Sequence, residues 1–490
     1  MGSPAYDAER RRTGSVEREG RGGWWVQRWS RVRSGRAGTQ VETSLPPIDP
    51  VMAQLLPDEH TAVPLGRPPA ARPRATVRLA PESAVEPEPS PSPSPPLSVW
   101  SVIVGSRVLL LLVGYVAVAR RPLAPYMQRL IYDRTVLLPG AAGRWLDAWT
   151  SWDGQWYLRI ARLGYQTVDA TAFFPLYPLL VRVVAAAAGQ AYVVAAVGTS
   201  LACYVVAMYL LYRLVVMDYG PRVAAATVVF ASLFPVSFFY QTAYSESVFL
   251  LTTVACVFFA RRGQWLAAGV AGFFAALTRN TGFLVVLPMG LFYLQARGWR
   301  LRRIDARLVW FALVPAGLAL WMGYLGGRFG DVLAFSRAEV HWHRHLTAPW
   351  TTVVDGVRAG AAGLTAVVRS GASGPTLGPR GNLVIPIDLP NALALLALIL
   401  AAVVLGLSAR RLKLPYAAYG VASLLAPLFY PTERQPLYSM PRFVLVIFPV
   451  FIGLALLTRR VTVARVALLA GSTLALVLLT TMFLRFWFVA

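Results

Sequence analysis

Charge is scarce in this chain of 490 residues: 14% are Asp, Glu, Lys or Arg, against about a quarter in a soluble globular protein. Lysine is all but missing, since Lys413 is the only one and the other 46 of the 47 basic residues are arginine. Cysteine is confined to Cys203 and Cys256, both inside apolar runs, which excludes a disulfide framework and a cysteine metal site. Zinc-finger spacing, RNP-like strands, basic helices and glycine-rich phosphate loops are also absent. The net charge of +24 is therefore no nucleic-acid footprint, and no nucleic-acid partner or nucleotide-binding fold is expected.

What is abundant is apolar sequence: 56% hydrophobic residues, with a mean hydropathy of +0.52. From residue 97 onward it forms runs near 97–119, 190–216, 222–240, 245–260, 264–279, 281–296, 308–327, 389–408, 414–430, 441–458 and 462–489. A bilayer is crossed by about 20 such residues, so the chain reads as an all-α polytopic membrane protein. The run at 173–188 begins FFPLYP, and two prolines in six residues suit a bent, non-crossing element. Residues 1–96 differ in kind. Nine arginines fall between Arg10 and Arg36, a Pro-Ser-Glu tract follows over 83–97, and no signal-peptide core is present. This stretch is expected to be a disordered cytoplasmic tail.

Orientation follows from the arginines. With the tail inside and 173–188 not crossing, the short inner connections collect 15 basic residues and two acids, Asp218 and Asp305. That arrangement satisfies the positive-inside rule. It predicts about 11 spans and two long outer loops, 120–189 and 328–388. Ten of the 12 acids beyond residue 96 then lie on the outer side, and membrane lipids are the expected partners of the spans.

The first outer loop reads WLDAWTSWDGQWYLRIARLGYQ, with Trp145, Trp149, Trp152, Trp156, Tyr157 and Tyr165 spaced at three to four, occasionally one or eight, residues. Such a stripe predicts amphipathic helix at the bilayer surface, its rings at headgroup depth. Asp153 lies within the stripe, where a carboxylate must be solvated, paired or used. An ion pair with Arg159 or Arg162 is its structural alternative.

The string Trp152-Asp153, Trp156-Tyr157, Ile160-Ala161 and Gly164-Tyr165, followed by Phe173 to Pro178 with Tyr177, closely resembles the signature of the PIG-V family. The resemblance continues in YQTAYSESVFLL (240–251), ALTRNTGFL (276–284) and YSMPRFVLVIFPVF (438–451). Ser151 departs from it, standing where the family usually has arginine. PIG-V proteins are mannosyltransferases of the GT-C superfamily. The resemblance implies a GT-C-like bundle over 97–490 in a bacterial plasma membrane. It also implies transfer of a sugar, mannose by preference, from polyprenyl-phosphate-mannose to an extracytoplasmic glycolipid, glycan or protein. Inversion would give an α-linkage, α-1,6 by analogy with the anchor-building member. Asp153 maps onto the catalytic aspartate; no cofactor beyond the donor is implied.

One carboxylate must deprotonate the acceptor and fixed positive charge must hold the phosphate. Asp147 is the reserve base. Arg442, Arg279 and Arg434 are the cationic candidates, with snorkelling to headgroups as the alternative for each. Trp152, Trp156, Tyr157, Tyr177, Glu246 and His343 are candidates for substrate binding. Ser245-Glu246 also reads as a helix cap followed by a first-turn acid. His341, His343 and His345 alternate; in a strand two would face one side, yet only Glu339 is near as a further ligand, so no metal is expected. A transporter or lipid flippase is the rival reading, weakened by the lack of paired halves and of mid-span acids or histidines.

Overall fold

Each of the eleven apolar runs forms helix over most or part of its length, and the helices end where glycine, proline or arginine interrupts them. The computed structural model describes residues 94–120, 140–377 and 383–490. The expected disordered tail thus falls, but for its last three residues, outside the described residues. Helix α1 (Leu97–Arg120) precedes the first long loop, which carries α2 (Gly140–Asp147), α3 (Asp153–Leu163) and α4 (Leu176–Ala187). Next come α5 (Tyr192–Tyr219), α6 (Pro221–Ser232), α7 (Glu246–Arg261), α8 (Trp265–Thr278), α9 (Val286–Ala296) and α10 (Leu313–Phe329). The second long loop holds α11 (Ala334–His341) and α12 (Pro349–Ser370). The chain closes with α13 (Asp388–Ser408), α14 (Leu414–Leu425), α15 (Met440–Val446), α16 (Phe448–Leu457) and α17 (Thr462–Leu484). Thr376–Leu377 pairs antiparallel with Leu383–Val384, the only sheet among the described residues.

The all-helical membrane architecture is borne out. Among the described residues five helices are long and apolar enough to cross a bilayer, and α15 with α16, bent by 74°, counts as a sixth if taken as one span. Helix α4, from the ambiguous run, has 12 residues. That is about 18 Å, well short of the roughly 30 Å hydrocarbon core.

Two broken helices are repaired by side chains, and both repairs lead to the same region. Pro449 has no N–H, so the Leu445 carbonyl four residues earlier lacks its helical partner; the Tyr240 hydroxyl donates to it at 2.6 Å. Helix α6 stops before Pro235, and Arg107 from α1 donates to the carbonyls of Ser232 and Ser237, both at 2.7 Å. Its guanidinium also lies 4.6 Å from the Tyr204 ring centroid. Arg107 is buried with no carboxylate partner among the described residues. The negative end of the α6 dipole supplies the compensation. Together these bonds tie the non-helical stretch 233–245 to α1 and α15.

The first outer loop departs from the sequence expectation. Its aromatic stripe does not form one surface helix: the chain breaks at Trp152, whose φ is 61°, between α2 and α3. Trp149, Tyr157 and Tyr165 are buried within the protein. Trp152 stacks on Phe486 at 4.1 Å and Trp156 on Phe173 at 5.6 Å. The rings pack on other rings because that removes them from water and lipid alike.

Helices α8 and α10 approach closely because glycines face the contact. A Cβ at Gly317 would stand 2.3 Å from the Phe273 carbonyl oxygen, and one at Gly269 would stand 2.3 Å from that of Trp310. Small residues play this part between membrane helices. Gly317→Val should therefore force α8 and α10 apart and destabilise the fold by about 1–3 kcal/mol, read as a lower thermal midpoint in detergent. An unchanged midpoint would contradict the close packing.

Candidate functional site

Four side chains from three distant parts of the chain form one ionic chain beside a cavity. Asp153 opens α3, where an acid in the first turn is favoured by the helix dipole. Its backbone N–H donates to the Tyr244 hydroxyl at 3.2 Å, and that hydroxyl donates to the Ser151 carbonyl at 2.9 Å. The Asp153 Oδ2 accepts from Nη1 of Arg442 at 2.7 Å. Arg442, in the first turn of α15, also donates through Nε to Oε1 of Glu246 at 2.8 Å. The same Oε1 accepts from Nη2 of Arg279 at 2.7 Å.

The chain of charges is nearly sealed from solvent. Side-chain exposure is 22% for Asp153, 9% for Arg442, 13% for Arg279 and 0% for Glu246. Two carboxylates against two guanidiniums leave no net charge, the condition for burying four ions together. Arg442 is further enclosed by rings, its Cζ 4.6 Å from the Tyr244 centroid and 5.2 Å from that of Phe239.

Local backbone explains how these residues come to face one another. Trp152 and Ser439 both adopt left-handed φ of 61°, one before Asp153 and the other three residues before Arg442. Non-glycine residues rarely rest there, and such strain is held only by surrounding structure. Ser245 does not act as the expected cap: its side chain makes no cap bond to α7. Instead its Oγ accepts from Arg279 Nε at 3.1 Å and from the Tyr157 hydroxyl at 3.0 Å. Burial pushes the Tyr157 hydroxyl up to about 12, so it stays a neutral donor at physiological pH.

The cavity, about 180 Å³, is bordered by Asp153, Tyr157, Arg279 and Arg442. Phe173, Phe174, Asn280 and Thr281 line it too. Its further wall, from the second long loop and the segment before α15, has Glu339, Trp342, Arg344, Tyr430 and Tyr438. Glu339 pairs with Arg344 at 3.3 Å. Burial raises the Glu339 carboxyl above its usual range, and the Arg344 guanidinium opposes that shift.

The other residues singled out from sequence lie elsewhere. Asp147 is buried at the end of α2, outside the cavity lining. Arg434 is exposed and also outside it. Tyr177 is buried behind Tyr157, ring centroids 5.0 Å apart, and bonds to Ser200 and the Ala196 carbonyl. Trp152 and Trp156 support the site through their ring stacks and do not line it. Glu246 is shut off behind the arginines. The partner of Asp153 is Arg442, and no ion pair joins it to Arg159 or Arg162. The histidine segment is no strand: α11 runs to His341 and His343 sits in a turn with φ of 55°, so the strand alternation expected from the sequence is not formed. His343 is exposed and outside the lining; the His341 side chain lies outside the described residues. Among the described residues no three His, Cys, Asp or Glu stand close enough to hold a metal ion.

Sequence reasoning missed Ser245 as a hinge of the cluster, Tyr438 and Arg344 as cavity wall, and Arg107 as a brace. Ser245 and Tyr438 lie within the strings that carry the resemblance, and Arg107 left a signal of its own, a lone cation inside an apolar run. Ser151 is fully buried and bonded to the Ala148 carbonyl; the arginines that line the cavity are Arg279, Arg344 and Arg442.

Residues 100–296 match the family described as Mannosyltransferase (PIG-V), which bears out the resemblance over that segment. The segment includes Asp153, Glu246 and Arg279; Arg442 lies beyond it. No curated protein matches the chain. Among solved structures, ArnT from Cupriavidus metallidurans bound to undecaprenyl phosphate is similar, at 13% identity with a TM-score of 0.42, covering 76% of this chain and 62% of that one. The apo oligosaccharyltransferase of Archaeoglobus fulgidus is similar at 14% identity with a TM-score of 0.39, covering 79% of this chain and 55% of the other. This chain thus spans somewhat over half the length of those proteins.

If Ser245 joins the cluster as described, Ser245→Ala leaves the Arg279 Nε–H and the Tyr157 hydroxyl without an acceptor. The expected cost is about 1–3 kcal/mol, read by thermal unfolding, and Tyr157→Phe in the same chain should recover part of it. Full additivity of the two changes would show that the hydroxyls do not interact.

Proposed function

We propose that this membrane protein, whose residues 100–296 match a mannosyltransferase family, transfers a sugar, mannose by preference, from a polyprenyl-phosphate donor to an extracytoplasmic acceptor. The observation that carries the reading is the ionic chain at the cavity edge: a carboxylate, Asp153, held 2.7 Å from an arginine, Arg442, with a second arginine, Arg279, beside it. A lipid phosphate brings its own leaving group, so the protein has only to supply a base and fixed positive charge. The cavity of about 180 Å³ suits a sugar-phosphate head, the lipid chain lying in the bilayer; whole drug-sized ligands need roughly 300 Å³ or more.

The step balances as a single displacement. The donor phosphate takes over the Arg442 Nη1 bond, and Asp153 is released from it. The Asp153 carboxylate accepts the acceptor's hydroxyl proton, and the oxygen attacks C1 of the sugar. The bond from C1 to the phosphate oxygen breaks, and polyprenyl phosphate departs with the electron pair. A β-linked donor so yields an α-linked product in one displacement, without a covalent sugar–enzyme intermediate. Glycolipids and cell-surface glycans are the proposed acceptors. The site faces outward and the N-terminus lies in the cytoplasm of a bacterial plasma membrane, as the arginine distribution supports.

Transfer from labelled polyprenyl-phosphate-mannose into native membranes tests this reading. Asp153→Asn should lower turnover about 100-fold or more while the protein remains folded. Near-normal turnover would remove Asp153 from the role of base. Arg442→Ala should weaken donor use strongly, with Arg442→Lys restoring it only in part because lysine lacks the planar fork. Chelator should leave the rate unchanged; activity lost to chelator and restored by a divalent ion would overturn the metal-free mechanism.

Orientation is tested separately. Gln166 and Gln264 are both exposed. In a chain lacking Cys203 and Cys256, Gln166→Cys should react with an impermeant thiol reagent on intact cells and Gln264→Cys should not. Labelling of the second alone would invert the topology.

A further inference from the structure

Glu246 belongs to the cluster but not to the cavity wall: it is fully buried and stands behind the two arginines. One of its oxygens, Oε1, binds both guanidiniums, at 2.7 Å to Arg279 and 2.8 Å to Arg442. The other, Oε2, is enclosed with no hydrogen-bond partner among the described residues. A carboxylate retained only for stability would gain by using both oxygens, since a buried unpaired one is costly. What this arrangement does achieve is direction. A guanidinium has five N–H donors in a rigid plane, and each arginine commits two: Arg279 to Ser245 and Glu246, Arg442 to Glu246 and Asp153. Among the described residues no further hydrogen bond engages the remaining N–H groups of either arginine, and both residues border the cavity.

Resting on the donor reading above, we propose that Glu246 is a positioning residue for the phosphate site. It fixes the planes of Arg279 and Arg442 from behind so that both address one phosphate. It also keeps Arg442 in place when that arginine exchanges Asp153 for the phosphate. Glu246 itself touches neither substrate.

Charge and geometry make opposite predictions here, which renders the proposal testable. If Glu246 merely balanced charge, removing its negative charge would leave an anion bound as well as before or more tightly. If it positions, removing it lets the two guanidiniums turn, and binding weakens. The measurement is the affinity of the full chain in phosphatidylcholine nanodiscs for radiolabelled undecaprenyl phosphate, without any acceptor. Glu246→Gln should weaken binding by about 10-fold or more, the size expected for losing charge-assisted hydrogen bonds. Glu246→Asp keeps the charge but draws the carboxylate back by about 1.5 Å, so it should also weaken binding. It decides the matter if the glutamine variant does not fold. In an Arg279→Gln background the effect of Glu246→Gln should shrink, because half of what Glu246 orients is gone. Wild-type binding with equal or tighter binding by both Glu246 variants would overturn the positioning role and leave the donor reading intact. Absence of wild-type binding would overturn both.

Discussion

A single carboxylate oxygen, Oε1 of Glu246, holds two arginines that arrive from different helices. The candidate site depends on it. Arg279 stands just after α8, Arg442 in the first turn of α15, and Glu246 at the start of α7. None of these elements is bound to the others at that point by backbone hydrogen bonds of regular structure. The ion pairs fasten them, and burial strengthens the electrostatics while making every missing partner expensive. Asp153 completes the chain on the cavity side and gives it electrical neutrality.

Such a cluster can exist only where backbone irregularity lets helices begin and end inside the protein. The segment from 233 to 245 is mostly non-helical, and its free carbonyls would be intolerable in an apolar environment. Arg107 and Ser237 satisfy those near the end of α6. On the far side, Tyr240 supplies the donor that Pro449 cannot. The same segment then delivers Tyr244, Ser245 and Glu246 to the site. Irregular backbone, side-chain repair and functional cluster are therefore consecutive parts of one construction.

The aromatic residues contribute in a way the surface-helix expectation did not foresee. Tyr157 and Tyr244 join the two apolar cores, one packed around α3 and α4 and the other through the helical bundle. Their ring centroids lie 6.4 Å apart, and their hydroxyls reach Ser245 and the Ser151 carbonyl. Asp153 is thus framed by packed rings on a rigid base, which limits the positions its carboxylate can take. A group meant to exchange one partner for another needs that restraint.

The sequence by itself determined that the chain is helical and membrane-embedded, because apolar runs of bilayer length have few other solutions. It also singled out Asp153, Arg442, Arg279 and Glu246 through local strings that can be read residue by residue. The tertiary structure alone decided how they relate. Asp153 and Arg442 are 289 positions apart, and no periodicity or spacing can report a contact of that kind. It assigned Asp153 a distant arginine although Arg159 and Arg162 are near in sequence, because α3 starts at Asp153 and presents the carboxylate to α15. It removed Asp147, Arg434 and His343 from the cavity, and it converted the helix-cap reading of Ser245 into a shared acceptor. Local pattern fixes which residues are chemically capable; the long-range packing of broken helices fixes which of them meet.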